Sequence, residues 1–198
     1  MKYPSKFQSL IESFQHYPGI GPKTAERLAF YTIKEENIQQ SKEFSKNIVE
    51  ACDSVKHCTV CGMLTETDIC DICSDDTREN KIIVVEDTKD IIAFEKTNVY
   101  HGKYHVLSGL ISPTNGKGPD DIGLDKLLKR INETQPEEVI MATSSNIDGE
   151  LTSMYISKVL NKKHIKVYRI GYGMPVSANI EYIDEITLAK SLESKKEM

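Results

Sequence analysis

The stretch HCTVCGMLTETDICDIC, residues 57–73, carries two Cys-x-x-Cys pairs, Cys58 with Cys61 and Cys70 with Cys73, separated by eight residues. Each pair can present two neighbouring thiolates from one tight turn. The intervening loop then brings the second pair to the other side of a single ion, which is the tetrahedral arrangement of structural zinc. Two redox Cys-x-x-Cys motifs, or buried thiols without a metal, are the alternatives, and neither requires the doubled spacing. The expected ligands of a structural Zn2+ are therefore Cys58, Cys61, Cys70 and Cys73. His57 stands beside the set, which is complete without it, and Cys52 reads as a small apolar residue of a preceding helix. A segment with so few large apolar residues draws its folding free energy from the metal, so zinc removal is expected to leave the N-terminal half poorly ordered.

The chain of 198 residues, 39% hydrophobic, is long enough for one substantial core and a smaller appended domain. Five cysteines, with no basic segment and apolar run at the start, fit a reducing cytoplasm better than a disulfide framework. Apolar runs such as IIVV at 82–85 are too short to span a bilayer, so no membrane partner is expected. The formal charge of -5 argues against a uniformly basic nucleic-acid surface but not against a local one. Residues 1–57 hold eight Lys/Arg against seven Asp/Glu, whereas 58–80 hold one against six. A phosphate-contacting surface therefore belongs at the N-terminus, and the cysteine segment is mainly structural.

Phe7, Leu10, Ile11 and Phe14 recur at helical spacing. The following YPGIGPKTAERLAFY, residues 17–31, marks a short turn and a second helix, with Pro22 suited to its first turn. Gly19 and Gly21 can adopt backbone angles closed to other residues, Ile20 tucks inward, and the exposed amides at the helix start favour a phosphate. Lys23 and Arg27, four apart, share one face and are the candidate DNA contacts. An ordinary helical hairpin with solvated charges is the alternative. Ile38, Phe44, Ile48, Cys52 and Val55 suggest a third helix leading to the cysteine module.

KIIVVEDTKDIIAFEKT, residues 81–97, reads as a buried strand and a helix, with Glu86 just past the strand. EEVIMATSSNIDGELTSMYISKVL, residues 137–160, repeats the arrangement as strand, polar loop with Asp148 and Glu150, then helix. With further strands at 104–107 and 165–170, a mostly parallel sheet covered by helices is expected. Glu86, Asp148 and Glu150 could gather into a Mg2+ site, cap helices or bind a basic partner. SPTNGKGPDDIG, residues 112–123, is not a phosphate loop: Ile111 stands at the first glycine position and Gly118 follows Lys117. It reads as a mobile loop capped by Asp120 or Asp121 before a helix with Leu124, Leu127 and Leu128. Lys117 is a weaker candidate contact with DNA or a partner.

The order of these elements closely resembles the RecR family of bacterial recombination mediators over essentially the whole length. The matching pieces are the hairpin stretch, the four-cysteine module, VVEDTKDIIAFEKTNVYHGKYHVLSGLISPTNGKGPDD and the terminal RIGYGMPVSANIEYIDEITLAKSLESK. The resemblance implies an α/β Toprim domain preceded by an all-α helix-hairpin-helix region and a small four-cysteine zinc module. The corresponding boundaries are 1–56 for the hairpin region, 57–76 for the zinc module, 80–175 for the Toprim domain and 176–198 for a C-terminal segment and helix. It further implies dimers or ring-like tetramers that encircle single- or double-stranded DNA. The implied partners are RecO and RecF, and the implied task is to help RecA load on strands covered by single-strand-binding protein. Lys23 and Arg27 match the family's basic hairpin positions, and the four cysteines match its zinc ligands. Glu86 and Asp90 fall in the first acidic Toprim stretch, which resembles a partner-contact surface, and Asp148 and Glu150 match the second acidic motif. ATSSNIDGE, residues 142–150, departs from the usual A-T-N-P-T-V-E-G-E: Ser144 and Ser145 replace the Asn-Pro pair, and Asp148 replaces a longer acid.

Three functions follow as expectations. The leading one is a cytoplasmic, non-enzymatic mediator that joins the nucleoid when bound to DNA. The others are a magnesium-dependent phosphoryl-transfer enzyme using Glu86, Asp148 and Glu150, and a zinc-stabilised interaction subunit that never touches DNA.

Overall fold

A computed structural model of the chain describes residues 2–171, 173–174 and 179–194. Within the terminal RIGYGMPVSANIEYIDEITLAKSLESK motif, Tyr172, residues 175–178 and Lys195 lie outside the described residues. The chain divides into two compact units, Met1–Val55 and Lys56–Met198.

In the first unit, α1 (Ser5–Gln15) and α2 (Pro22–Thr32) form a helical hairpin. Phe7 and Ile11 of α1 close on Ala25 and Ala29 of α2, with Leu10, Phe14 and Ile20 packed around them. Two alanines four residues apart remove bulk from one face of α2, so the helices approach closely. Phe7 also meets Phe30 at a centroid distance of 4.7 Å and Tyr3 edge-on at 5.2 Å. Of the two turn glycines only Gly19 takes a left-handed conformation, φ +81°, whereas Gly21 is extended at φ -82°. The turn therefore needs one glycine for its angles, and Gly21 serves as the N-cap of α2 with open space where a side chain would stand.

A short turn leads into α3 (Ile38–Ser54), held by Asn37, whose side-chain amide donates to the Tyr31 carbonyl at 2.9 Å, and by Ser41, which donates to Thr32 at 2.9 Å. The expected apolar stripe forms, but none of its residues is buried: Phe44 and Val49 are each 56% exposed, and Ile38, Ile48 and Val55 are exposed as well. Cys52 is exposed too, not packed as its spacing suggested.

The second unit opens with a ribbon of β1 (Lys56–His57) and β2 (Leu64–Thr65) and a single helical turn, α4 (Asp71–Ser74). A four-stranded sheet follows, built from β3 (Lys81–Val85), β4 (Lys103–Val106), β5 (Glu138–Met141) and β6 (Lys166–Arg169). The strand order is β4-β3-β5-β6 and every pair is parallel. The helices are α5 (Thr88–Glu95), α6 (Leu124–Thr134), α7 (Ile147–Asn161) and α8 (Glu185–Glu193).

The run at 82–85 is apolar at every position because β3 is covered on both faces. Ile83 and Val85 pack with Ile91 of α5 and Tyr104, while Ile82 and Val84 join Leu127 and Ile131 of α6 and Ile156 and Leu160 of α7. The outer side of β4 is occupied by the cysteine module and by α6: the Val106 amide donates to the Cys61 carbonyl at 2.7 Å, and Arg130 donates to the Tyr104 carbonyl. Gly62, at φ +81°, lets the module approach, since a Cβ there would stand 3.2 Å from that of Val106.

One expectation is filled in and another needs correction. The loop at 112–123 carries its own hydrogen bonds. Ser112 and Lys117 exchange backbone hydrogen bonds at 3.0 Å, and Asp121, not Asp120, accepts from the Gly118 amide at 2.8 Å. Asp148 and Glu150 lie in the first turn of α7, not in the loop before it. Asn146 caps that helix by accepting from the Gly149 amide at 2.7 Å, and acids in a first turn suit the positive end of a helix. Among the described residues, no helix is long and apolar enough to cross a membrane.

Candidate metal centre and phosphate-binding hairpin

The ligating atoms of Cys58, Cys61, Cys70 and Cys73 all lie within 4.8 Å of one another. The Cys61 and Cys70 sulfurs are 3.5 Å apart, close to the ~3.8 Å edge of a tetrahedron with Zn–S bonds of about 2.3 Å. That separation is far beyond a disulfide bond, and all five cysteines are free. Each pair sits on a turn that folds around its sulfurs: Gly62 donates to the Cys58 carbonyl at 2.9 Å, and Ser74 donates to that of Cys70 at 3.0 Å. Backbone amides also point at sulfur, from Cys70 to Cys58 Sγ and from Met63 to Cys61 Sγ, both at 3.4 Å. Such donors favour thiolates, and four soft thiolates in this geometry form a cluster suited to zinc. The hydrogen bond with Cys73 and burial push the Cys61 thiol up, while the same hydrogen bond and the nearby Arg130 draw Cys73 down toward the thiolate. His57 stays outside the cluster, its Nδ1 2.9 Å from the Gly62 carbonyl oxygen.

In the hairpin, Lys23 and Arg27 are both exposed on α2, and among the described residues neither has an ion-pair partner. Glu26, the acid between them, is engaged by the Tyr3 hydroxyl. The first intrahelical bond runs from the Ala25 amide to Gly21 at 2.9 Å, so the amides of Lys23 and Thr24 precede it and point out of the helix start. Two outward amides and Lys23 at an exposed helix start, with Arg27 one turn further on the same face, form an arrangement for phosphate oxygens.

The four acids do not converge on a metal position: the cysteine set is the one candidate metal cluster among the described residues. Glu86 accepts from the Ser144 amide at 3.2 Å, which ties the end of β3 to the loop after β5. Ser144 in turn lies where a Cβ at Gly149 would stand, 2.2 Å from the Ser144 carbonyl oxygen, so this loop demands glycine at 149. Glu150 accepts from Arg169 at 2.9 Å and has Lys190 of α8 at 3.7 Å. Asp90 accepts from the Asp87 amide at 3.0 Å in a reciprocal cap of α5, and burial raises its carboxyl above the usual range.

Sequence reasoning passed over the buried Arg130, and saw in His105 only a histidine too far from His101 and His164 to form a second metal site. Burial, and then the fields of Arg130 and Lys126, push His105 down to about 3, so it is neutral at physiological pH. Arg130 follows Leu127 by three on the apolar stripe of α6, and that spacing is the available sign that it turns inward.

A helical hairpin, a four-thiol cluster suited to zinc and a parallel sheet with helices on both faces define a three-part α/β protein with a small metal-binding-type module. Family comparisons agree: the Toprim domain matches residues 80–171, the RecR helix-hairpin-helix 7–52, the RecR four-cysteine zinc finger domain 55–75 and the RecR C-terminal region 173–196. The recombination protein RecR of Streptococcus thermophilus is 51% identical over 199 residues, covering 100% of both chains. That of Streptococcus suis is 50% identical over the same length. The chain belongs to the RecR family, and its function is that of a DNA recombination mediator rather than an enzyme.

Proposed function

We propose that this mediator grips DNA through phosphates at the start of α2, that Cys58, Cys61, Cys70 and Cys73 hold one structural Zn2+, and that its acidic residues engage protein partners. The observation that carries the reading is the exposure of Lys23 and Arg27, without ion-pair partners among the described residues, beside the outward amides of one helix start. Such an arrangement reads backbone rather than bases. RecO and RecF are the partners in this reading, and RecA loading on strands covered by single-strand-binding protein is the outcome. The reading does not require magnesium: Glu150 is met by Arg169 and one oxygen of Glu86 by a backbone amide.

Replacing Lys23 with Ala should flatten the log-affinity against log-salt slope by about 0.9 for each duplex phosphate that the side chain no longer neutralises, or about 0.7 for a single-stranded one. Arg27→Ala should act in the same way on two unrelated DNA sequences, with zinc content and assembly unchanged. Wild-type affinity and slope in a correctly assembled double variant would remove the hairpin from the DNA interface. For the acids, Glu86→Gln and Asp90→Asn should weaken binding of the RecO partner, measured by calorimetry. Unaltered binding in both would reject that surface.

A further inference from the structure

One of the four thiols is held differently from the others. Cys58 and Cys61 receive their sulfur-directed amides from within the module, whereas Cys73, the least buried, is held by the sheet unit. Its carbonyl accepts from Lys103 Nζ at 3.2 Å, and its Sγ lies 3.8 Å from Nη2 of Arg130, 57 residues further along the chain. The other terminal nitrogen of Arg130 donates to the Tyr104 carbonyl on the outer side of β4. The side chain is buried, 5% exposed, and among the described residues no carboxylate lies within ion-pair distance of it. A buried guanidinium without a counter-charge is costly. Four thiolates around a divalent ion carry two net negative charges, which supply that counter-charge at the required place.

We propose that Arg130 is an outer-sphere positioning residue of the zinc centre: it donates to the metal-bound thiolate of Cys73, neutralises part of the centre's charge, and couples metal binding to the packing of α6 on the sheet. This rests on the zinc ligation proposed above. The same side chain bonded only to the Tyr104 carbonyl would be a local cap with no influence on the metal. Outer-sphere donors tune metal affinity by about 10–100-fold, which sets the size of the expected effect.

The test uses the full chain with Arg130→Met and Arg130→Lys. Zinc per chain, the rate of zinc transfer to a chromogenic chelator, and the thiolate-to-metal charge-transfer band of the cobalt-substituted protein are measured. Arg130→Met should still bind one metal but release it about 10–100-fold faster, with a displaced cobalt band. Arg130→Lys, which keeps the charge and loses the two-pronged donor, should recover part of both. Wild-type release rates and cobalt spectra in the two variants would overturn the proposal. Absence of stoichiometric zinc from the wild-type chain would instead remove the ligation reading, and the proposal with it. If Arg130→Met does not fold, the wild-type chain decides: stripping zinc should raise amide exchange in α6 around residues 127–131, and unchanged protection there would overturn the coupling.

Discussion

Glu95 shows how single side chains fix this fold. Its carboxylate accepts from Arg78 Nη1 at 2.9 Å and from the Tyr104 hydroxyl at 2.7 Å, and Arg78 also donates to the Gly102 carbonyl at 3.0 Å. The Arg78 hydrogen bond holds the Glu95 carboxyl below its usual range, although burial pushes the other way. A carboxyl lowered in the folded state contributes stability above the unfolded value of about 4.3 and loses it as pH falls through the folded value. Glu95→Gln should therefore cost about 1–2 kcal/mol at neutral pH, the size of a partly solvated charged hydrogen bond, and the deficit should shrink below about pH 4. Urea unfolding of both proteins across that range checks it; a deficit independent of pH would show that the carboxylate charge is irrelevant. At this scale the sequence is most informative where chemistry is local. Two Cys-x-x-Cys pairs state their own geometry, and Lys23 and Arg27 lie on a helix announced by the Pro-Gly and Gly-Pro turn before it. Asp148 and Glu150 fall one turn later than the loop expected for them, because acids suit a loop and a helix start alike and the capping role of Asn146 depends on backbone geometry. Arg130 could not be assigned its hydrogen-bond partners, since they lie 26 and 57 residues away along the chain.

Among the elements, α3 is the least self-sufficient. A helix of 17 residues gains little from propensity alone and normally needs one face covered. Yet Ile38, Phe44, Ile48 and Val49 all face out, as do Phe30, Tyr31 and Ile33 at the end of α2 and just beyond it. The period of this helix is legible in its sequence. What covers its stripe is not, because hydrophobic spacing identifies a face and not the surface that meets it. We propose a second copy of the chain as the occupant, in line with the self-association expected from the sequence, and a closed assembly would also concentrate sparse cations around one strand of DNA. Phe44→Glu and Ile48→Glu should each lower the assembly state seen by light scattering, with a loss of DNA affinity larger than one added charge explains. Unchanged mass across protein concentration in both variants would place the self-association surface elsewhere. The loop at 112–123 illustrates the opposite limit. Its glycines and prolines suggest looseness, but the same residues supply left-handed positions at Gly116 and Gly123 and tight turns that pin it.

At the scale of the whole molecule, the cysteine module belongs to the same compact unit as the sheet, residues 56–198. Met63 and Ile72 pack against the apolar cluster beneath α5, and Cys61 is bonded to β4. The effect of zinc removal is therefore expected in the α/β unit, not in the N-terminal half, where the scarcity of large apolar residues in the cysteine segment led it to be expected. Cys58→Ser should lose stoichiometric zinc and lower the thermal midpoint, with increased amide exchange in β4 and α4. Full zinc occupancy with an unchanged midpoint would reject the assignment. Parallel strands, crossover helices and the order of segments are all readable from buried runs and polar breaks; that the module is a part of the sheet unit is not, because the joining interactions are backbone hydrogen bonds with no sequence signature. The Cys61 bond to Val106 has a consequence for solubility. Outward-facing amides and carbonyls on a terminal strand are a template for strands of other molecules, and here the zinc module and Arg130 occupy that template. Zinc bound by the four cysteines would thus guard against intermolecular strand pairing, so chelated protein should precipitate as strand-paired aggregates before it unfolds completely.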